Sequence, residues 1–136
     1  MICFCLLCVC ELSAQKNKKF DQEKFKSELE QYITTQACLT PQEAAAFFPV
    51  YEEMLNKQRV LFEKRRQFKH NKPTDEAACR KRILEMDDCS IKIEEIKRDY
   101  HRRFFKILSA SKLYDVIKAE RRFYRTTFKR VAKGKK

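Results

Sequence analysis

The sequence predicts one all-α domain, an elongated antiparallel helical hairpin with two shorter flanking helices. The length of 136 residues suits a single domain. The chain has one glycine, Gly134, which argues against β-hairpins and phosphate-binding loops because both depend on glycine at positive φ. The many Lys, Glu, Gln, Arg, Leu and Ala residues favour long helices. Lys and Arg outnumber Asp and Glu by 31 to 19, so the domain is strongly basic, with a net charge of +12.

The first fifteen residues have a composition of their own. Met1 to Cys10 form an uncharged apolar run, shorter than the ~20 residues of a transmembrane helix but long enough for the apolar region of a signal peptide. Leu12-Ser13-Ala14 offers small residues for cleavage, although no Lys or Arg precedes the run. We expect residues 1–15 to be a cleaved signal peptide. A buried helix end or a membrane-skimming segment is the alternative, and the true start codon and cleavage position stay open.

The clearest helix start lies at Leu39-Thr40-Pro41-Gln42-Glu43. Thr40 can cap the helix, Pro41 suits the first helical position and Glu43 completes a capping box. Pro49 lies inside the same helix and should kink it. This segment predicts the beginning of the longer half of the domain.

Four helices account for most of residues 16–131, which we expect to form one domain followed by a basic tail over 132–136. They cover about residues 21–36, 41–70, 75–108 and 110–131, and a cap at Thr74 begins the third. Apolar residues recur three and four positions apart in each helix. The predicted apolar positions are Phe25, Leu29, Tyr32, Ile33, Ala44, Phe47, Tyr51, Met54, Leu61, Phe68, Ile83, Met86, Ile93, Tyr100, Phe104, Ile107, Leu113, Val116, Ile117, Phe123, Tyr124, Phe128 and Val131. Polar residues interrupt the two long stripes at Gln58, Arg65, Ser90 and Lys97.

Helix length predicts the arrangement. At 1.5 Å per residue the second and third helices span roughly 43 and 50 Å. Because a short loop joins them, they must pair antiparallel, and the shorter helices can cover only part of the pair. The aromatic residues left over indicate either a homodimer or an apolar surface for another protein. Alternatively, Phe123 and its neighbours complete the core of the monomer.

Few residues could support catalysis or metal binding. After residue 15 the sequence has no Gly-rich loop, Gly-x-Ser-x-Gly, His-Glu-x-x-His or Cys-x-x-Cys motif. The two histidines, His70 and His101, have no Cys or other His within a helical turn. We therefore expect no enzyme activity, no cofactor and no metal site within one chain, while a metal site formed across a dimer stays open.

Signal cleavage would leave three cysteines, Cys38, Cys79 and Cys89, in an oxidising compartment. The predicted hairpin places Cys89 opposite Met54 and brings no two of the three together. Cys79 and Cys89 are expected to be small buried apolar residues, whereas Cys38 could form an intermolecular disulfide. Their redox state and pairing stay open.

Positive charge is the strongest functional signal. In the fourth helix Lys118, Arg122, Arg125 and Lys129 recur at intervals of four, three and four, and a second basic cluster surrounds the turn after the second helix. Bases next to aromatic residues suit the capture of unfolded polypeptide, although an anionic lipid surface or a merely solvated face gives the same pattern. The candidate contact residues are Arg65, Phe68, Arg122, Phe123, Tyr124 and Arg125. Nucleic acid is a less expected partner, because no DNA-binding motif accompanies the charge.

Two segments resemble the Spy/CpxP-like exported helical proteins. Leu39-Thr40-Pro41-Gln42-Glu43-Ala44, followed by Phe47-Phe48-Pro49-Val50-Tyr51-Glu52-Glu53-Met54, resembles their LTxxQ-type opening, and is closer to relatives described as sensors of extracytoplasmic-function sigma factors. Ile107-Leu108-Ser109-Ala110-Ser111-Lys112-Leu113, followed by Ile117-Lys118-Ala119-Glu120-Arg121-Arg122-Phe123, is similar to their closing segment. Glu43 stands where the motif has glutamine, and Ser109-Ala110 replaces a second Leu-Thr or Leu-Pro.

The resemblance implies a periplasmic, non-enzymatic, cradle-shaped dimer that acts as an ATP-independent chaperone, an envelope-stress regulator or a metal sensor. We expect an exported binding protein that holds unfolded or misassembled envelope proteins. The alternative is an envelope-stress or metal-stress sensor that restrains a membrane regulator by protein–protein binding. A basic nucleic-acid-binding helical protein is a lesser alternative. The client or regulator and the dimer geometry stay open.

Overall fold

The computed structural model describes residues 21–134, which form four helices. These are α1 (Gln22–Gln36), α2 (Pro41–His70), α3 (Glu76–Phe104) and α4 (Ala110–Lys133). The prediction of an all-α fold is confirmed for this part of the chain. The predicted signal peptide and the last two residues of the predicted basic tail lie outside the described residues.

Each helix begins at a side chain that caps it, because the first backbone N–H groups of a helix have no partner within it. The caps are Asp21, Thr40, Asp75 and Ser109, and each accepts a hydrogen bond from the backbone three residues later. The predicted cap at Thr74 is wrong by one residue: the Asp75 carboxylate accepts from the Ala78 N–H at 2.8 Å.

Helices α2 and α3 run antiparallel in close contact. Glu53 near the middle of α2 pairs with Arg103 at the end of α3, while Arg65 farther along α2 donates to Ser90 Oγ at 3.1 Å. The predicted position of Cys89 opposite Met54 is therefore wrong by about three helical turns. The Spy/CpxP-like form of this arrangement stays a prediction.

Helix α4 begins beside α2 and runs in the same direction. Lys112 Nζ contacts Glu43 at 2.5 Å, and the Tyr51 hydroxyl donates to Glu120 at 2.5 Å, so both contacts join residues 69 positions apart. Helix α1 packs along α4, with the Phe123 ring 5.4 Å from the Phe25 ring. The helices thus form two closely packed pairs, α2 with α3 and α1 with α4.

The main core lies where these two pairs meet. Its least exposed large side chains are Ile33, Phe47 and Phe104, one each from α1, α2 and α3. Leu39 and Leu108, which directly precede the caps of α2 and α4, are also buried in it. The helix starts are therefore held by apolar packing as well as by their caps.

The part of the α2–α3 pair that leads to the connecting turn has a thinner core. Its fully buried side chains are Gln58, Cys89 and Ile93. The prediction that Ile83 is buried is wrong, because its side chain is 59% exposed. Arg82 takes the inner position instead, with its guanidinium 4.7 Å from the centre of the Phe68 ring. Among residues 21–134, no helix combines the length and apolar character that crossing a membrane requires.

Candidate functional site

The largest concave feature is a groove of about 620 Å³ between the first half of α1 and the middle of α2, with Tyr124 of α4 at its side. Residues from Gln22 to Glu30 line it on α1, and residues from Tyr51 to Arg66 line it on α2. We call this feature the α1–α2 groove. It exists because α1 packs most closely on α4, which leaves space between α1 and α2.

Apolar side chains supply much of the groove surface. Leu55 and Phe62 come from α2 and are two helical turns apart, on a stripe next to the buried one. Phe25 and Tyr124 contribute aromatic rings whose centres are 5.8 Å apart. Phe62 is 44% exposed, so a bound apolar group could cover it.

The polar residues of the groove are partly paired across it. Lys26 of α1 contacts Glu52 of α2 at 2.7 Å, and Glu63 contacts Arg66 within α2 at 2.6 Å. Glu30 is half-buried, and its pKa is raised first by that burial and then by the negative charges of Glu52 and Glu23. The groove therefore combines apolar contact area with an acidic wall on α1.

Two of the predicted contact residues, Arg65 and Phe68, lie near the turn between α2 and α3. Arg65 donates to Ser90 and also lies over the Phe62 ring, with its guanidinium 5.3 Å from the ring centre. Phe68 is half-buried between Lys64 and Arg82. Both side chains are held by contacts within the α2–α3 pair rather than projecting freely.

The other four predicted contact residues lie on successive positions of α4. Phe123 is half-buried and packs on both Phe25 and Tyr32 of α1, so it belongs largely to the core. Tyr124 lines the α1–α2 groove, and its burial raises its pKa to about 12. Arg122 and Arg125 are exposed. The structure places one of the six predicted residues, Tyr124, directly in the groove.

The helix-start motif brings α2 and α4 together. The Thr40 hydroxyl accepts from the Glu43 N–H at 3.1 Å, and Glu43 accepts from the Thr40 N–H at 2.9 Å, which completes the predicted capping box. The same carboxylate binds Lys112, and the hydrogen bond from Lys112 is the main reason that the pKa of Glu43 is lowered. Pro41 occupies the first helical position, as predicted.

Two further polar contacts connect the helices. Tyr51 is buried and donates to Glu120; burial raises the pKa of both groups. Glu53 accepts from the Tyr100 hydroxyl at 2.5 Å and from Arg103 at 3.1 and 3.3 Å. The hydrogen bond from Arg103, followed by that from Tyr100, lowers the pKa of Glu53 to about 2. These groups act as links between helices and do not converge on a space where a substrate could react.

Within residues 21–134, no three His, Cys, Asp or Glu side chains are placed to hold a metal ion. Cys38, Cys79 and Cys89 are free thiols, and they are exposed, half-buried and buried, respectively. Burial, followed by the charge of Lys97, lowers the pKa of His101.

The groove residues on α1 and the second stripe of α2 were missed by the sequence prediction. The signal for them was present, because Leu55 and Phe62 are seven residues apart and lie beside the main stripe. The role of Glu23 and Glu30 could not be found in this way, since glutamates on an amphipathic helix usually face solvent. No family model matches the chain, and no curated protein or solved structure matches it either.

Proposed function

We propose that the protein is an exported, non-enzymatic, Spy/CpxP-like helical binding protein. It holds unfolded or misassembled envelope proteins without ATP, and the homodimer suggested by the sequence is its expected form. The supporting observation is the α1–α2 groove, an open apolar surface with Phe62 and Tyr124 accessible to a bound chain. Unfolded polypeptides expose apolar side chains that such a surface can cover.

The groove is more suitable for a polypeptide than for a small molecule. Its α2 side extends from Tyr51 to Arg66, about 22 Å at 1.5 Å per residue. That length matches about seven residues of an extended chain or four turns of a helix. Charge outside the groove would support capture, because Arg122 and Arg125 are exposed on α4 and attract acidic parts of a client.

The proposal can be tested by measuring how residues 16–136 suppress the aggregation of a chemically denatured client, followed by light scattering without ATP. We expect suppression by the wild type and a clear loss in Phe62→Ser. The matched control is Val60→Ser, which changes a side chain of the same helix that is 70% exposed and does not line the groove. Thermal melts of both variants would show that the fold is retained.

Absence of suppression by the wild type would contradict the proposal. If the protein instead captured the exported domain of one membrane regulator, the stress-sensing alternative would replace it. Salt-dependent DNA binding without any effect on clients would indicate the nucleic-acid alternative.

A further inference from the structure

The charge of the α1–α2 groove is opposite in sign to that of the chain. The whole sequence has a net charge of +12, yet the groove is lined by four glutamates and three basic residues. A surface with this local excess of acid is unexpected in a protein with 31 Lys and Arg. The groove therefore differs from the basic exterior that the sequence emphasised.

Pairing within the groove leaves its α1 wall with uncompensated acid. Lys26 is paired with Glu52, and Arg66 is paired with Glu63. Within the described part of the chain, Glu23 and Glu30 make neither an ion pair nor a side-chain hydrogen bond. These two carboxylates are seven residues apart on α1, so they lie on one face about 10 Å from each other.

The surroundings of Glu30 favour an additional positive charge. Its side chain is half-buried next to Leu55 and Phe62 of the facing helix, in the same groove. Glu52 and Glu23 contribute repulsion to it that Lys26 only partly offsets. A cation brought in by a ligand would relieve this repulsion while its apolar neighbours covered the exposed rings.

We infer that the α1–α2 groove binds basic amphipathic segments of client polypeptides. Apolar side chains of the segment cover Leu55 and Phe62, and its Lys or Arg side chains pair with Glu30 and Glu23. This inference rests on the proposed function and names the class of segment that is bound. The preference is opposite to the one expected from the basic exterior, which attracts acidic clients.

Screening decides whether local or overall charge controls the selection. At about 0.15 M salt the Debye length is about 8 Å, so most of the +12 charge acts weakly on a peptide in the groove. The contacts with Glu23 and Glu30 are shorter than that length. Selectivity for basic segments is therefore expected at physiological salt, and repulsion by the exterior becomes stronger at low salt.

The test uses fluorescent peptides with identical apolar residues and either Lys, Gln or Glu at the remaining positions, with fluorescence anisotropy as the measurement. At 0.15 M salt the Lys peptide should bind most tightly to residues 16–136. The double variant Glu23→Gln/Glu30→Gln should weaken that binding roughly three- to tenfold and change binding of the Gln peptide little. The matched control is Glu28→Gln, because Glu28 lies on α1 outside the groove and pairs with Lys24.

Equal or tighter binding of the Glu peptide would overturn the inference, and so would a loss in Glu28→Gln as large as that in the double variant. Self-association that the double variant abolishes, without competition by the Lys peptide, would assign the groove to a second copy of the chain and also overturn it. The proposed function is distinguished by the aggregation assay. Suppression without any charge preference refutes only this inference, whereas no suppression at all refutes the proposed function.

Discussion

Removing the cap of α2 by Thr40→Ala gives the most direct test of how the helix starts hold this fold. The Thr40 hydroxyl accepts from the Glu43 N–H at 3.1 Å, and no alanine side chain can replace that acceptor. Loss of a threonine cap costs about 1 kcal/mol of stability, within a range of about 0.5–2. For a domain of this size that corresponds to a fall in Tm of about 4 °C. Urea unfolding followed by circular dichroism measures the free energy directly.

Glu43→Gln separates capping from the contact with α4. Glutamine preserves an oxygen for the Thr40 N–H, so the capping box persists, but the charge that binds Lys112 is lost. Because both side chains of this ion pair are partly exposed, the loss should be smaller than in Thr40→Ala. It should also shrink at high salt, whereas the effect of Thr40→Ala should not.

The control for both variants is Thr74→Ala. Thr74 is exposed, directly precedes the cap of α3 and makes no side-chain hydrogen bond within residues 21–134. The reasoning is refuted if Thr40→Ala costs no more than Thr74→Ala. A larger loss in Glu43→Gln than in Thr40→Ala would show instead that the ion pair dominates this end of the molecule.

Three further variants test the polar links and the core by urea unfolding. Glu53 has a folded pKa of about 2, below its unfolded value of about 4.3, so the advantage of the wild type over Glu53→Gln should be complete above pH ~4.3 and disappear as the pH falls towards 2. Burial raises the pKa of Glu120, so the stability of the wild type relative to Glu120→Gln should increase as the pH falls from neutral towards ~4.3; a slope of opposite sign in either comparison contradicts its assignment. Phe104→Ala should lose roughly 3–5 kcal/mol because this ring is 1% exposed, whereas Phe105→Ala, at a ring 56% exposed, should change stability by about 0.5 kcal/mol or less. Similar losses in the two alanine variants would refute the position of the core.

The helices could be predicted well because their signals are local. Apolar spacing, the Thr40 capping box and the break before Pro73 depend on residues close in sequence, and the structure reproduces all three. The turn at Cys38 was harder to predict. Its φ of 50° lies in the left-handed region, where glycine is usual, and the sequence places a cysteine there.

The register of α2 against α3 could not be predicted from loop length alone. Folding the chain back at the middle of the turn ignores the stagger between the helices, and the error moved Cys89 to the wrong neighbours. The structure shows what fixes the stagger. Gln58 Nε2 donates to the Ile93 carbonyl at 3.1 Å, and Arg65 donates to Ser90. The positions that interrupted the two predicted apolar stripes are therefore those that meet.

The groove was missed for a related reason, since it depends on which helices pack most closely. The sequence shows that α4 has apolar residues on several faces, but not that Phe123 packs on α1 through Phe25 and Tyr32. That packing draws α1 towards α4 and leaves the second stripe of α2 partly open. Leu55 and Phe62 line the resulting space.

Polar contacts in the α2–α3 pair and the open apolar stripe on α2 are consequences of the same distribution of residues. A fully apolar seam would hold the two helices together in several staggers, because one apolar turn packs on another almost equally well. Gln58 and Arg65 form bonds that are satisfied in one stagger, so they specify the alignment with little apolar burial. With the alignment fixed in this way, Leu55 and Phe62 are not needed to hold α3 and can face the groove. Replacing Gln58 by leucine would then preserve the helices but weaken their alignment, and the α2 wall of the groove would lose its fixed position.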